Sequence, residues 1–252
     1  MTLEEAIAKI KPLDHNAMEI AQKRWDSIAK PLHSLGKLET LLIQIAGITG
    51  NAEVDLSRRG LIAMCADNGV VEEGVTQTGQ EVTAIVAENF LKYDTSVGVM
   101  CKQNHAEIFP VDMGMVTDTK VRTDHKIAYG TQNMTKGPAM TREQAVKGLE
   151  AGIDMVRELN DKGYRILATG EMGIGNTTTS SAVASVLLKQ PVEEMTGRGA
   201  GLTSEGLVRK INAIKKAITL NKPDPEDAID VLAKVGGLDI AGMAGVFLGG
   251  AV

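Results

Sequence analysis

One stretch sets what this chain can fold into: Tyr164-Arg165-Ile166-Leu167-Ala168-Thr169-Gly170-Glu171-Met172-Gly173-Ile174-Gly175-Asn176-Thr177-Thr178-Thr179-Ser180-Ser181. It opens as an apolar run of the length of a buried strand. It breaks at Gly170, Gly173 and Gly175, then passes through small hydroxyl residues into an Ala/Val/Leu helix over 182–188. Strand, glycine turn and helix N-terminus in that order suit an anion. Free backbone N–H groups and the positive end of the helix dipole converge there, and glycine lets a ligand come close. The same pattern also serves as a packing turn with no ligand. Glu171 stands at the strand's C-terminal end, where open α/β sheets place their ligands. The stretch Gly173-Ile174-Gly175-Asn176-Thr177-Thr178 lacks the third glycine of a dinucleotide fingerprint, and no Gly-Lys-Ser/Thr follows it. A nucleotide-dependent oxidoreductase and a Walker A loop are both disfavoured.

The flanking sequence repeats the alternation. Gly60-Leu61-Ile62-Ala63-Met64-Cys65-Ala66-Asp67 and Glu107-Ile108-Phe109-Pro110-Val111-Asp112 read as buried strands ending in carboxylates. Helical spacing follows the first at Val82, Ile85, Val86 and Phe90. Thr141-Arg142-Glu143-Gln144 is a capping box opening a helix with Val146, Leu149, Ile153 and Val156 on one face. Between them, Met113 to Met140 shows little periodicity, the mark of a functional or mobile segment. Thr196-Gly197-Arg198-Gly199-Ala200-Gly201-Leu202 is a second glycine-rich turn, leading into a helix with Leu207, Ile211, Ile214 and Ile218. The small-residue run from Gly236 to Val252 suits tight packing against a sheet or another helix.

These patterns predict an α/β fold: a parallel sheet flanked by helices, Rossmann-like, with right-handed crossovers. Two helices are expected over 3–30, with Leu3, Ile7, Ile10, Met18, Ile20, Trp25 and Ile28 apolar. Asp67, Asp112 and Glu171 should gather along one sheet edge with both glycine turns.

A net charge of −5 with no basic stripe argues against a nucleic-acid partner. No apolar run reaches membrane-spanning length. Cys65 and Cys101 lack metal spacing and lie in apolar settings, which predicts buried free thiols in a reducing, cytoplasmic compartment. His15, His33, His105 and His125 show no mutual spacing, so no metal site is expected.

Six motifs occur in order: Ser34-Leu35-Gly36-Lys37-Leu38-Glu39, Ala66-Asp67-Asn68-Gly69-Val70, Val111-Asp112-Met113-Gly114, Gly170-Glu171-Met172-Gly173-Ile174-Gly175-Asn176-Thr177-Thr178, Gly197-Arg198-Gly199-Ala200-Gly201 and Gly237-Leu238-Asp239-Ile240-Ala241-Gly242. Together they resemble the nicotinate-nucleotide–dimethylbenzimidazole phosphoribosyltransferase (CobT) family over nearly the whole chain. The resemblance implies transfer of ribose phosphate from nicotinate mononucleotide to 5,6-dimethylbenzimidazole. The products are α-ribazole 5′-phosphate and nicotinate, on the route to the lower ligand of cobalamin. It implies a homodimer and no cofactor. It also implies a small helical domain built from both chain ends, with residues 1–35 in that subdomain and residues 36–252 in a nucleotide-binding α/β domain that is C-terminally incomplete.

On the same resemblance, Glu171 is a supporting active-site carboxylate. Gly173, Gly175, Asn176, Thr177 and Thr178 contact phosphate and ribose, and Gly199 and Gly201 form a second anion cradle. Lys210 either reaches the phosphate or is an ordinary solvated lysine. Asp67 and Asp112 either position ribose hydroxyls or cap their loops. Asp67, Thr78, Gln80 and Val86 fall at the aromatic-base pocket. There the family often carries Ser or Tyr followed by Pro, and some members place a base-contacting glutamine at the position of Val86. The family's catalytic glutamate, in a Gly-Glu-Gly-type motif near its C-terminus, has no match after Gly237-Leu238-Asp239. The chain is therefore expected to be C-terminally incomplete and impaired in turnover. The alternative is a non-catalytic nucleotide-binding fragment or paralogue.

Overall fold

The computed structural model describes residues 1–252. Three short N-terminal helices come first: α1 (Leu3–Lys9), α2 (His15–Ser27) and α3 (Lys37–Thr49). Then follow β1 (Arg59–Ala66), α4 (Glu81–Lys92), α5 (Ser96–Gln103), β2 (Ala106–Gly114), α6 (Arg142–Asp161), β3 (Ile166–Met172) and α7 (Asn176–Leu187). The chain closes with α8 (Val192–Met195), α9 (Ser204–Asn221), α10 (Ala228–Val235) and α11 (Leu238–Gly250). No helix is long and apolar enough to cross a membrane.

The sheet is parallel, with strand order β2-β1-β3. β1 is central because its residues Gly60–Ala66 are apolar on both faces, as a strand covered by helices on each side requires. Pro110 sits on β2, at the edge, where its missing N–H costs the ladder least. Register places Ile62 beside Phe109 and Thr169, so Asp67, Asp112 and Glu171 all emerge at the C-terminal end of the sheet.

α6 and α11 cover one face, packing with Ile62, Met64, Val111 and Met113. The two helices approach backbone to backbone. A side-chain carbon on Gly152 would lie 2.1 Å from the Gly242 carbonyl oxygen, and one on Gly245 would lie 2.0 Å from that of Leu149. The glycines of α11 are therefore what lets this layer form. α4 and α5 cover the other face around Ala63, Cys65 and Phe90. A further cluster joins α7, α9 and α10 through Ala182, Ile214 and Val231.

The structure corrects two local expectations. α4 buries Thr83, Ala84, Ala87 and Phe90, while Ile85 is 56% exposed. Small residues let the helix lie close to the strands, and that turns the expected stripe sideways. The segment 113–140 is irregular but tied down. Thr131 N–H donates to the Asp67 carbonyl at 3.0 Å, Met140 N–H donates to the Ala233 carbonyl at 2.9 Å, and Met134 is fully buried. At the N-terminus, Leu3 and Ala6 of α1 pack into the main core. α2 pairs with α3, with Asp14 N–H donating to the Gly47 carbonyl at 2.9 Å. The expected boundary after residue 35 thus runs between two helices that pack on each other. Ile7, Ile20 and Ile28 remain exposed.

Candidate active site

The glycine turn after β3 is held from below and behind. A side-chain carbon on Gly173 would lie 2.2 Å from the Ala66 carbonyl oxygen, so only glycine fits there. Ile174 N–H donates to Thr83 Oγ1 at 3.0 Å, which ties the turn to α4. Gly175, at φ +96°, is the N-cap residue of α7. The helix starts at Asn176, earlier than its apolar residues suggest, so Asn176, Thr177 and Thr178 form its first turn. Asn176 Nδ2 donates to the Glu171 carboxylate, and Asn176 Oδ1 accepts from Thr177 N–H at 2.6 Å. Asn176 and Thr178 N–H groups donate to the Gly173 and Gly175 carbonyls, at 3.0 and 2.9 Å. The N–H groups of Gly173 and Gly175 donate to no protein atom, so two of the expected free donors stand in this turn, while Asn176 Oδ1 occupies that of Thr177.

Free donors also stand opposite. The N–H groups of Gly197, Arg198, Gly199 and Ala200 donate to no protein atom. Gly199 has φ +57°, and a side-chain carbon on it would lie 2.8 Å from Thr177 Oγ1 and 3.5 Å from Lys210 Nζ. Gln77 Nε2 donates to the Gly201 carbonyl, closing this turn from the other side. Lys210, from α9, joins the two turns. It is fully buried, and its Nζ donates to Thr177 Oγ1 at 2.7 Å and to the Gly197 carbonyl at 3.2 Å. No carboxylate pairs with it, and burial pushes its ammonium below the usual lysine range. Of the two readings of Lys210, the solvated one does not hold. A basic groove of about 730 Å³ lies along the outer end of α9, but its Lys136, Lys215 and Lys222 are exposed.

The carboxylates differ in environment. Burial raises Glu171, against the hydrogen bond from Asn176. Asp67 is fully buried, and its Oδ2 accepts from Val116 N–H at 2.8 Å. Asp112 is also buried. Its Oδ1 accepts from Met115 N–H at 2.8 Å and its Oδ2 faces Lys126 Nζ at 3.2 Å. Both aspartates cap the loop after β2. Thr78 is exposed, Gln80 Nε2 donates to the Asn68 carbonyl at 3.3 Å, and Val86 packs against the α4/α5 core. No group of three His, Cys, Asp or Glu side chains is arranged to hold a metal.

Sequence reasoning passed over Thr83, Asn68 and Asp239, which support the turn from beneath. Asp239 is the lone carboxylate in an otherwise small and apolar helix, which is the one signal that could have found it. Burial, with the Glu171 charge next, pushes it up to about 7.

A family profile described as phosphoribosyltransferase matches residues 10–252. The nicotinate-nucleotide–dimethylbenzimidazole phosphoribosyltransferase of Ruminiclostridium cellulolyticum is 53% identical, over 100% of this chain and 72% of its own length. The enzyme of that name from Clostridium acetobutylicum is 52% identical, again over 100% of this chain and 72% of its own. The crystal structure of CobT from Thermus thermophilus superposes with a TM-score of 0.85 at 35% identity, covering 93% of this chain and 71% of that one.

Proposed function

From the premise that the chain belongs to the nicotinate-nucleotide–dimethylbenzimidazole phosphoribosyltransferase family, we infer the following division of labour among its residues. The reaction moves ribose 5′-phosphate from nicotinate mononucleotide to 5,6-dimethylbenzimidazole. The bond from C1′ to the pyridine nitrogen breaks, and that nitrogen keeps the electron pair and leaves as neutral pyridine. A benzimidazole nitrogen forms the new bond to C1′, and the other ring nitrogen loses its proton.

One observation carries the assignment of the phosphate site. Lys210 is a buried ammonium with no carboxylate partner, set between two glycine turns. A buried charge left without a counter-ion is costly, and an arriving phosphate supplies one. The free N–H groups of Gly199 and Ala200 add donors from the second turn, and Gly201 shapes it. Thr177 and Thr178 border the ribose phosphate in this reading. Thr177 N–H exchanges its Asn176 acceptor for a ligand oxygen.

Glu171 is proposed as the supporting carboxylate, held by Asn176 beside the start of α7 and raised in pKa by burial. The proton acceptor that the family resemblance calls for has no counterpart among residues 240–252. Gln80 and Thr78, with Val86 behind them, are proposed to border the aromatic base. A homodimer is proposed as the assembly, supported by the apolar side chains left exposed on α2 and after it, among them Ile20, Ile28 and Leu32. Sedimentation tests that assembly. Titration of nicotinate mononucleotide into the chain by calorimetry tests the site, and an absence of binding would overturn the reading.

A further inference from the structure

Asp239 belongs to a motif that the reading above leaves without a role. It lies in the first turn of α11 and is fully buried. Polar groups of the nucleotide turn surround its carboxylate. Oδ2 accepts from Asn68 Nδ2 at 3.3 Å, and Oδ1 accepts from Ile240 N–H at 2.9 Å. Thr179 Oγ1 of α7 lies 3.4 Å from Asn68 Oδ1 and 2.9 Å from the Asn176 carbonyl, and its single proton serves one or the other. A side-chain carbon on Gly173 would lie 2.8 Å from Asp239 Oδ2 and 3.1 Å from Asn68 Nδ2, so these two side chains form the floor of the turn. Glu171 on β3 and Cys65 on β1 are the titratable groups that face Asp239, and no cation pairs with it.

A buried asparagine amide has two orientations that differ only in where N and O point. An ionised carboxylate only accepts, so it selects the orientation with Nδ2 toward itself. That leaves Oδ1 facing the Thr179 hydroxyl of α7. We propose that Asp239 is a positioning residue for nucleotide binding, fixing through Asn68 the turn and helix start on which the phosphate is held. The inference rests on the reading of that turn as the phosphate site.

The test is an exchange of the two side chains, read by calorimetric titration of nicotinate mononucleotide. It is run at about pH 8, above the value of about 7 at which Asp239 titrates. Asp239→Asn keeps the shape but puts a donor against a donor, and affinity falls about 10-fold, the scale of one unmet buried group. Asn68→Asp sets two carboxylates against each other and loses more. The double variant restores one donor and one acceptor in the reverse sense, still sets an acceptor before Thr179, and recovers to within about 3-fold of wild type. Circular dichroism melts confirm that each protein is folded at the titration temperature. If Asn68→Asp does not fold, Asn68→Ala replaces it, and adding Asp239→Asn to it produces no further loss. Affinity of Asp239→Asn within about 2-fold of wild type, a double variant no better than Asn68→Asp, or additive losses with Asn68→Ala would each overturn the proposal. Wild type that binds no nicotinate mononucleotide would overturn the phosphate reading and this inference with it.

Discussion

Lys210 Nζ stands 2.7 Å from Thr177 Oγ1, and this contact joins the start of α7 to the turn before α9. The two residues come from helices separated in sequence by α8 and the second glycine turn. Neither turn alone explains why a lysine is fully buried there. Together they enclose its ammonium with hydroxyl and carbonyl oxygens but no countercharge.

Gly199→Ala tests the second turn. Its added carbon would meet Thr177 Oγ1 at 2.8 Å, and φ of +57° strains any side chain. Because the turn is exposed, the expected loss of stability is only about 1 kcal/mol. Nucleotide affinity should fall by roughly 10-fold or more, because the carbon occupies the ground between Thr177 and Lys210. Calorimetry together with a thermal melt separates the two effects. Gly175→Val is a poorer probe, since its carbon meets Val71 and Asn68 side chains at 3.0 and 3.1 Å and disturbs packing as well.

Asp239 makes stability depend on pH. Its folded value of about 7 lies above the usual aspartate value of about 3.9. A carboxylate raised on folding favours the folded state while both states are protonated, at low pH. That advantage is lost as pH rises from about 4 to about 7, because the unfolded chain ionises first. The full loss is on the order of 4 kcal/mol, or roughly 10 °C in Tm for a chain of this size. Melts from about pH 5 to about pH 8 should show wild type falling relative to Asp239→Asn. Parallel curves would show that Asp239 titrates normally in the folded protein.

The layer of α6 and α11 gives a prediction for the fold itself. Gly245→Ala places a carbon 2.0 Å from the Leu149 carbonyl oxygen, and backbone atoms cannot rotate away. Separating the helices should cost about 3 kcal/mol, seen as a Tm lowered by roughly 10 °C. Gly250→Ala has nothing within 4 Å of the added carbon and serves as the control.

Much of the architecture is legible along the chain, because it is local. The apolar run Gly60–Ala66 reads as a buried strand, and the helix cap at Thr141 announces itself. The order of glycine turns and strand-end carboxylates also locates the candidate site. What the sequence hides is set by distance. Asn68 and Asp239 are 171 positions apart, so nothing near either one shows that they touch. In sequence Asp67 and Asp112 read equally as ribose contacts or loop caps; in the fold they cap the loop after β2, because Val116 and Met115 N–H groups arrive beside them. Lys210 lies beside the apolar stripe of α9, and only the fold shows that this flank faces the glycine turns. Asn176 looks like a ligand contact, yet its side chain occupies the N–H group that a phosphate would take.

The central claim is that a buried, unpaired Lys210 is kept for an anion, and Lys210→Met tests it most directly. Methionine fills similar space and removes a buried charge that no carboxylate balances. Tm should therefore hold or rise. Affinity for nicotinate mononucleotide should fall roughly 10- to 100-fold, the scale of a lost charge-assisted hydrogen bond of about 1.5–3 kcal/mol. These opposite signs are the expected result in one variant, measured by calorimetric titration beside a thermal melt. A variant that binds the nucleotide as wild type does, while melting well below it, would show that Lys210 serves the fold and not the phosphate.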